Sequence, residues 1–358
     1  VEVLRDKKEV GKKVAVIGPL ADKPHDQLGT WAFDGEADKT ITPVDAMEKE
    51  AWFSGYAPGL SYSRDKSDKL FDEALKLAKA SDVILFIGGE EAILSGEAHS
   101  RANIDLPGIQ EELIGKLAES GKPIVLVIMA GRPISITNII DKVDAVLMAW
   151  HPGTMGGPAL KDVLTGVAEP GGRLPITWPK TGGQLPLYYN HKNTGRPANS
   201  RDYVHIDDIP IGAWQSSLGN DSHYLDVGFT PHFPFGFGLT YSEFDYSDLE
   251  LSSTILNKEG EITVKANVTN KGTRKATEVV QLYIQDVVGS LTRPVKELKG
   301  FDRLTLDAGE TKTVEFSINP EMLKFVNNSM KEVIEPGDFN LWVGPNSASG
   351  LMGRFELK

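Results

Sequence analysis

Three carboxylates, a histidine and an arginine lie within one short stretch of the chain, "EEAILSGEAHSR". They are Glu90, Glu91, Glu97, His99 and Arg101. A carboxyl group in such a cluster can act as a general acid when burial against a neighbouring surface raises its pKa. On an arbitrary loop, however, several glutamates usually form a solvated, charged face. The position of the flanking elements therefore indicates whether the stretch is a catalytic loop or a solvated, charged face.

The flanking segments place this stretch at the end of a buried strand. Before it runs "SDVILFIGG", which is typical of a strand covered on both faces, and after it a helix is predicted to begin near Pro107. Ligands of parallel sheets bind at the carboxyl ends of the strands, where this loop would lie. Gly89 and Gly96 would also let the backbone approach a ligand closely. We therefore predict that the loop is a functional site.

Strand-like and helix-like segments alternate through the first half of the chain. Apolar runs predict strands at 12–21, 82–89, 123–131, 143–150 and 172–179. Helical spacing and end signals predict helices at 66–81, 107–122, 133–142 and 156–166. Repeated strand–helix units of this kind predict an α/β fold, in which helices sandwich a mostly parallel sheet.

The pattern changes in the second half of the chain. Residues from about 179 to 241 are rich in Pro, Gly, Asn and aromatic residues and show little periodicity. Short alternating runs then predict an all-β immunoglobulin-like or fibronectin III-like sandwich, at 262–270, 277–286, 297–306, 311–318 and 338–344. We therefore expect an α/β sandwich domain at 1–180, a long irregular connecting region packed on it at 181–244, and a fibronectin III-like domain at 245–358.

Composition and missing motifs exclude several classes of function. The net charge of −12 argues against nucleic acid or an anionic membrane as the main partner, because both attract clustered Lys and Arg. With no cysteine, the chain has no disulfide, thiolate metal site or cysteine nucleophile. The sequence contains neither a dinucleotide fingerprint nor a P-loop or nucleophile elbow, and its His and carboxylate spacing predicts no metal site. A neutral sugar remains a compatible substrate.

Several stretches closely resemble glycoside hydrolase family 3, in the half of its sequence that follows a catalytic barrel. They are "GGEEAILSGEAHSRANIDLPGIQEELI", "KPIVLVIMAGRPI", "AVLMAWHPGTMGGPALKDVLTG", "PGGRLPITWP" and "FPFGFGLTYSEF". A later stretch, "RPVKELKGFDRLTLDAGETKTVEFSI", is similar to the family's fibronectin type III-like domain. The resemblance covers essentially the whole chain in the family's order, and it is greatest to the bacterial periplasmic-type β-glucosidases of the family.

This resemblance implies a retaining, exo-acting β-glucosidase that hydrolyses terminal non-reducing β-D-glucosyl residues of β-glucosides or β-linked oligosaccharides without a cofactor. In such enzymes an Asp nucleophile lies on a TIM-like barrel, and the general acid/base is a Glu on a loop of the following α/β domain. The family's motif places that acid/base at Glu97. The resemblance also implies substrate-binding or supporting roles for Glu90, Ser95, Arg101, Trp150 and His151, although packing is the commoner role of an aromatic such as Trp150.

Two features depart from the family's pattern. The barrel is absent from this chain, so the nucleophile would come from residues upstream or from a separate chain. Because the chain begins at Val1 without a methionine, we expect such upstream residues, and we expect the isolated chain to be inactive. Met155 stands where many relatives have an acidic residue, which predicts altered packing of its loop.

Other interpretations remain open at this stage. The chain could be a non-catalytic carbohydrate-binding or assembly module, a fragment without a separate function, or part of a β-xylosidase or another β-glycosidase of the same family. The fibronectin-like domain would support the α/β domain and could contribute to a homodimer. The resemblance implies a periplasmic or secreted protein, and a cytoplasmic one is not excluded.

Overall fold

The structure, a computed structural model, describes residues 12–199 and 203–358, which form two compact units. The first unit comprises the described residues up to Pro170 together with Pro179–Leu185, and the second comprises Gly171–Trp178 and the described residues from Pro186 to Lys358. Within these ranges, we find no helix that combines the length and the apolar character needed to cross a membrane.

The first unit contains a five-stranded parallel sheet with the strand order β2-β1-β3-β4-β5. The strands are β1 (Val14–Ile17), β2 (Phe53–Ala57), β3 (Val83–Gly89), β4 (Ile124–Met129) and β5 (Ala145–Met148). The helices are α1 (Pro24–Leu28), α2 (Pro43–Met47), α3 (Phe71–Lys79), α4 (Gln110–Ala118) and α5 (Gly156–Leu164). The chain moves from β1 outward to β2 and then returns to β3 on the other side of β1, so the order reverses between β1 and β3.

Helices cover both faces of this sheet, as its apolar strands require. On one face, Val16 belongs to a buried cluster that includes Leu160 of α5. On the other face, Ile17 and Leu113 of α4 both lie against Gly59. Successive strand residues point to opposite faces, so a run that is apolar at every position is buried on both sides. The predicted α/β sandwich is confirmed.

Two predicted elements of this half are wrong. Residues 133–142 form turns and a short 3₁₀ segment at Ile140–Lys142, because Ser135 forms a bridge with Asp105 and its hydroxyl donates to the Lys180 carbonyl. Residues 172–179 form no strand of the parallel sheet. Instead, Trp178 makes an isolated antiparallel bridge within the second unit. Apolar runs do not by themselves reveal which neighbours will satisfy the backbone.

The second unit is a β-sandwich with a five-stranded sheet, β10-β9-β14-β15-β7, and a three-stranded sheet, β11-β8-β6. Its strands are β6 (Phe244–Leu251), β7 (Ile255–Leu256), β8 (Ile262–Asn270), β9 (Ala276–Asp286), β10 (Glu297–Leu306), β11 (Thr311–Ile318), β12 (Phe325–Val326), β13 (Glu332–Val333), β14 (Gly337–Asn346) and β15 (Ser349–Leu357). Val264 and Val314 of one sheet share a buried cluster with Leu282 and Leu341 of the other. This arrangement confirms the predicted fibronectin-like sandwich.

The described residues between Pro186 and the start of β6 group with the second unit, whereas Pro179–Leu185 groups with the first. The Tyr189 ring stacks on Phe235 at 4.4 Å, and its hydroxyl accepts a hydrogen bond from the Leu298 backbone of β10 at 3.1 Å. The Gln281 side chain of β9 donates to the Gly236 carbonyl at 3.1 Å. These contacts cover the outer face of the larger sheet, which explains why β9 is buried through most of its length.

Candidate functional site

The loops after β1 and β3 leave the sheet where its strand order reverses, which is the usual ligand position in an open parallel sheet. Two glycines permit the strand ends to approach closely there. A Cβ on Gly18 would lie 2.1 Å from the Ile87 carbonyl oxygen, and one on Gly89 would lie 1.9 Å from that of Met129. Both glycines have a φ of 130°, which L side chains rarely adopt. The sequence "EEAILSGEAHSR" begins directly after Gly89.

Glu90 is the buried centre of this loop. Its side chain is 0% exposed, and both carboxylate oxygens accept hydrogen bonds. Arg101 donates to one oxygen, while the other accepts from Arg132 Nε and from the Ser95 hydroxyl, each at 3.0 Å. Two guanidinium groups thus neutralise one buried carboxylate, as burial of a charge requires. Glu90 thus joins Ser95, Arg101 and Arg132 through its carboxylate.

The partners of Glu90 tie the rest of the loop together. Arg132 also donates to the carbonyl oxygens of Leu94 and His99, the latter at 2.8 Å. Arg101 also donates to the Asp105 carbonyl at 2.8 Å. The loop after β3 is therefore attached to its own start and to Arg132, three residues after the end of β4.

Glu91 is neutralised separately. Arg64 donates to both of its carboxylate oxygens, at 2.9 and 3.0 Å, and the Ser63 hydroxyl donates at 2.7 Å. The hydrogen bonds from Arg64 hold the pKa of Glu91 below its ordinary range, against the smaller opposing effect of burial. Glu91 therefore remains an ionised structural carboxylate.

Glu97 differs from both neighbours. Its side chain is exposed and has neither a hydrogen bond nor an ion pair with any residue that the structure describes. It lies in a turn with Ala98, whose φ of 62° is unusual for a residue with a Cβ. Such backbone outliers are concentrated at functional sites. The structure thus sorts the three carboxylates of this loop into two that are paired with arginine and one that is free.

Trp150 and His151 follow β5 at the same edge of the sheet. Trp150 has a φ of 55°, and its carbonyl accepts from the Ala130 backbone at 3.2 Å. The His151 ring packs so closely on Gly29 that a Cβ there would lie 2.7 Å from it. Neither ring nitrogen has a hydrogen-bond partner among the residues described. Burial lowers the pKa of His151, and the negative charges of Glu90 and Asp26 oppose this effect.

The sequence analysis missed Arg132 and the side chains that hold the start of the loop. Asp26 accepts from the Ala92 backbone at 3.0 Å, and the buried Gln110 amide bonds to both backbone groups of Gly89. Arg132 lies three residues after β4, in "MAGRP", so the strand-end rule that selected Glu90 could also have selected it. Nothing local in the sequence marks Asp26 or Gln110.

The loop after β1 adds exposed aromatic surface beside the Glu97 turn. Thr30 connects the two loops, because its hydroxyl donates to the Ala92 carbonyl and its methyl group lies against Gly96. Trp31 and Phe33 follow, with 56% and 85% of their surfaces exposed, and their rings meet edge to face at 6.2 Å. Large exposed rings of this kind often mark a binding surface.

No group of three or more His, Cys, Asp or Glu side chains that could hold a metal ion occurs in residues 12–199 and 203–358. Met155 immediately precedes α5 and is 56% exposed.

Comparison with known proteins agrees with this architecture. Residues 4–241 match the glycosyl hydrolase family 3 C-terminal domain, and residues 278–347 match a fibronectin type III-like domain. The chain is 40% identical to a periplasmic β-glucosidase of Salmonella typhimurium, over 96% of this chain and 46% of that protein. It is 34% identical to a putative β-xylosidase of Formosa agariphila, over 97% of this chain and 43% of that protein.

Solved structures give the same result. The crystal structure of a β-glucosidase from Listeria innocua in complex with isofagomine matches with a TM-score of 0.88 and 34% identity, over 99% of this chain and 47% of that one. The chain spans about half the length of the curated relatives it matches. The matched domains, their order and the fold agree, and the chain therefore belongs to glycosyl hydrolase family 3, as the family's C-terminal domain with its fibronectin type III-like domain.

Proposed function

We propose that this chain is the part of a retaining, exo-acting β-glucosidase that supplies the general acid/base, Glu97, to a barrel domain carrying an Asp nucleophile. The observation that supports this role is the difference among the three carboxylates of the loop. Arginines hold Glu90 and Glu91, so neither is free to exchange a proton with a substrate. Glu97 has no such partner among the described residues and is exposed at the ligand-binding edge of the sheet.

The proposed reaction has two steps with balanced proton transfer. The barrel Asp attacks the anomeric carbon while Glu97 donates its proton to the glycosidic oxygen, which leaves as an alcohol. Glu97, now ionised, then takes a proton from the water that hydrolyses the glycosyl-enzyme, and so regains its starting state. In retaining enzymes the two carboxyl groups lie about 5–5.5 Å apart, so the barrel must approach the Glu97 turn closely.

The exposure of Glu97 suits a two-domain site. While the carboxyl group is in water, its charged form is well solvated. A barrel domain and a sugar that covered the turn would remove this water and favour the protonated form, as a general acid requires. The exposed Trp31 and Phe33 would offer apolar rings beside the same turn, where a sugar or an aryl leaving group could stack.

A glucoside is the substrate that we propose, with β-xylosides as the alternative. The relative that is 40% identical is named a periplasmic β-glucosidase, whereas two relatives named as β-xylosidases are 34% and 35% identical. The same relative supports a periplasmic or secreted location. Association of two copies remains a prediction.

The test uses an enzyme that contains both this chain and a barrel domain, with a series of aryl β-glucosides. For Glu97→Gln we expect kcat/KM, which reports the glycosylation step, to fall roughly 10²–10⁴-fold for poor leaving groups and little for dinitrophenolate, which needs no proton. The control, Glu119→Gln, removes an exposed carboxylate at the end of α4 and should have no effect. An equal loss for all leaving groups, or none, would contradict the assignment. Sugar binding without any turnover would instead favour a non-catalytic binding module.

A further inference from the structure

Arg132 contacts the loop that carries Glu97 and takes no part in the proposed proton transfers. It lies three residues beyond β4, yet its guanidinium bonds to the loop that follows β3. Its Nε donates to Glu90 at 3.0 Å, and its Nη2 donates to the carbonyl oxygens of both Leu94 and His99. Its side chain is 19% exposed, so most of these contacts are sheltered from water.

The two carbonyl contacts close the segment that carries Glu97. Leu94 lies three residues before Glu97, and His99 lies two residues after it. One nitrogen of Arg132 therefore joins the two ends of a short loop whose tip is the Glu97 turn. Within the loop, the His99 backbone also donates to the Gly96 carbonyl at 3.1 Å.

The guanidinium is itself held by groups attached to the sheet. Gly89 at the end of β3 pairs with Met129 at the end of β4, so Glu90 and Arg132 leave two adjacent strand ends. Glu90 is fully buried and accepts from Arg132 through an oxygen that also accepts from Ser95. The Ser95 hydroxyl accepts in turn from the Gly131 backbone at 3.1 Å. Hydrogen bonds thus connect both ends of the loop to residues at the ends of β3 and β4.

We propose that Arg132 is a positioning residue for the acid/base. Its hydrogen bonds to the carbonyl oxygens of Leu94 and His99 hold the two ends of the loop together, and thereby fix the position of Glu97 relative to the sheet. This inference rests on the proposed function of Glu97. Arg132 does not touch the substrate. Glu90 acts indirectly, because it orients the Arg132 guanidinium that joins the two ends of the loop.

The first experiment tests the closure itself by hydrogen exchange on this chain. For Arg132→Gln we expect the hydrogen-bonded backbone amides of Leu94 and His99 to exchange roughly tenfold faster or more, while amides of β3 and β4 remain protected. Arg132→Lys should give an intermediate effect, since one ammonium cannot replace a planar fork that serves three acceptors. The matched control is Arg64→Gln, which breaks a two-bond pair with Glu91 but has no hydrogen bond to residues 94–99. Unchanged exchange at Leu94 and His99 in both Arg132 variants would refute the proposal. Continued protection of the β3 and β4 amides distinguishes a loosened loop from unfolding of the unit.

The second experiment tests the consequence in the barrel-containing enzyme. A misplaced acid/base should lower kcat/KM for poor leaving groups by about 100-fold, with little effect on kcat/KM for dinitrophenyl glucoside. Arg132→Lys should recover part of this loss. If exchange accelerates in Arg132→Gln but kinetics do not change, the positioning role is refuted. Glu97→Gln then tests the acid/base assignment separately from the positioning role of Arg132. A loss confined to poor leaving groups in this variant supports Glu97 as the acid/base, whereas no loss refutes that assignment too.

Discussion

Replacing Glu90 by Gln tests whether this buried carboxylate is the support of the loop. The change keeps the size of the side chain but removes the charge that Arg101 and Arg132 share. Glu90 is 0% exposed and each arginine side chain is 19% exposed, so little water can replace the lost charge. Two guanidinium groups would then face each other without a counter-ion.

The expected loss follows from these exposures. Removing one partner of a buried ion pair costs about 3–5 kcal/mol. The Gln side chain retains an oxygen that can accept a hydrogen bond, and the arginines are partly exposed to water. We therefore expect a loss at the lower end of this range, about 3 kcal/mol. For a unit of this size each kcal/mol shifts the melting temperature by about 2–4 °C, so we expect the α/β unit to melt roughly 6–12 °C lower.

Denaturant unfolding of the whole chain measures this loss, with the α/β transition followed separately from that of the sandwich. Glu91→Gln is the matched control, since it removes the adjacent carboxylate from a pair in which Arg64 is 51% exposed. That pair should contribute about 1 kcal/mol or less. If Glu90→Gln destabilises the α/β unit no more than Glu91→Gln does, the view of Glu90 as the buried support is wrong.

Three further predictions concern the same edge of the sheet. Gly89→Ala would place a Cβ 1.9 Å from the Met129 carbonyl, so we expect this variant to lose the folded α/β unit, as circular dichroism would show; a native melting curve would contradict it. Ala98→Gly should raise the unfolding free energy by about 0.5–1 kcal/mol, because its φ of 62° favours glycine, and a decrease in denaturant unfolding would argue against strain. Arg64 lowers the pKa of Glu91 below its ordinary 4.5, so the stability from this pair is present above pH 4.5 and disappears as the pH falls through the lower value. The Glu91→Gln protein should lack that part of the acid dependence, and parallel acid profiles for the two proteins would contradict it.

Local pattern was enough to predict the elements that carry the site. β3, β4 and α4 arise from continuous apolar runs and helical spacing, which depend on near neighbours in the chain. The same patterns failed at 133–142 and 172–179, where the apolar residues are buried by contacts other than those of a helix or the parallel sheet. Local periodicity shows that a segment will be buried without showing what will bury it.

By itself, the sequence determined the α/β and fibronectin-like fold classes and the loop that carries the carboxylates, and its resemblance to the family made Glu97 the candidate acid/base. Only the tertiary structure decided how the three carboxylates differ. Arg132 lies 42 residues from Glu90 along the chain, and the two meet only because β3 and β4 pair in parallel. Arg64 reaches Glu91 across 27 residues, from the segment between β2 and α3. A charged side chain obtains its partner from the packing of distant segments, so composition and spacing could propose the carboxylates but could not tell which of them remains free.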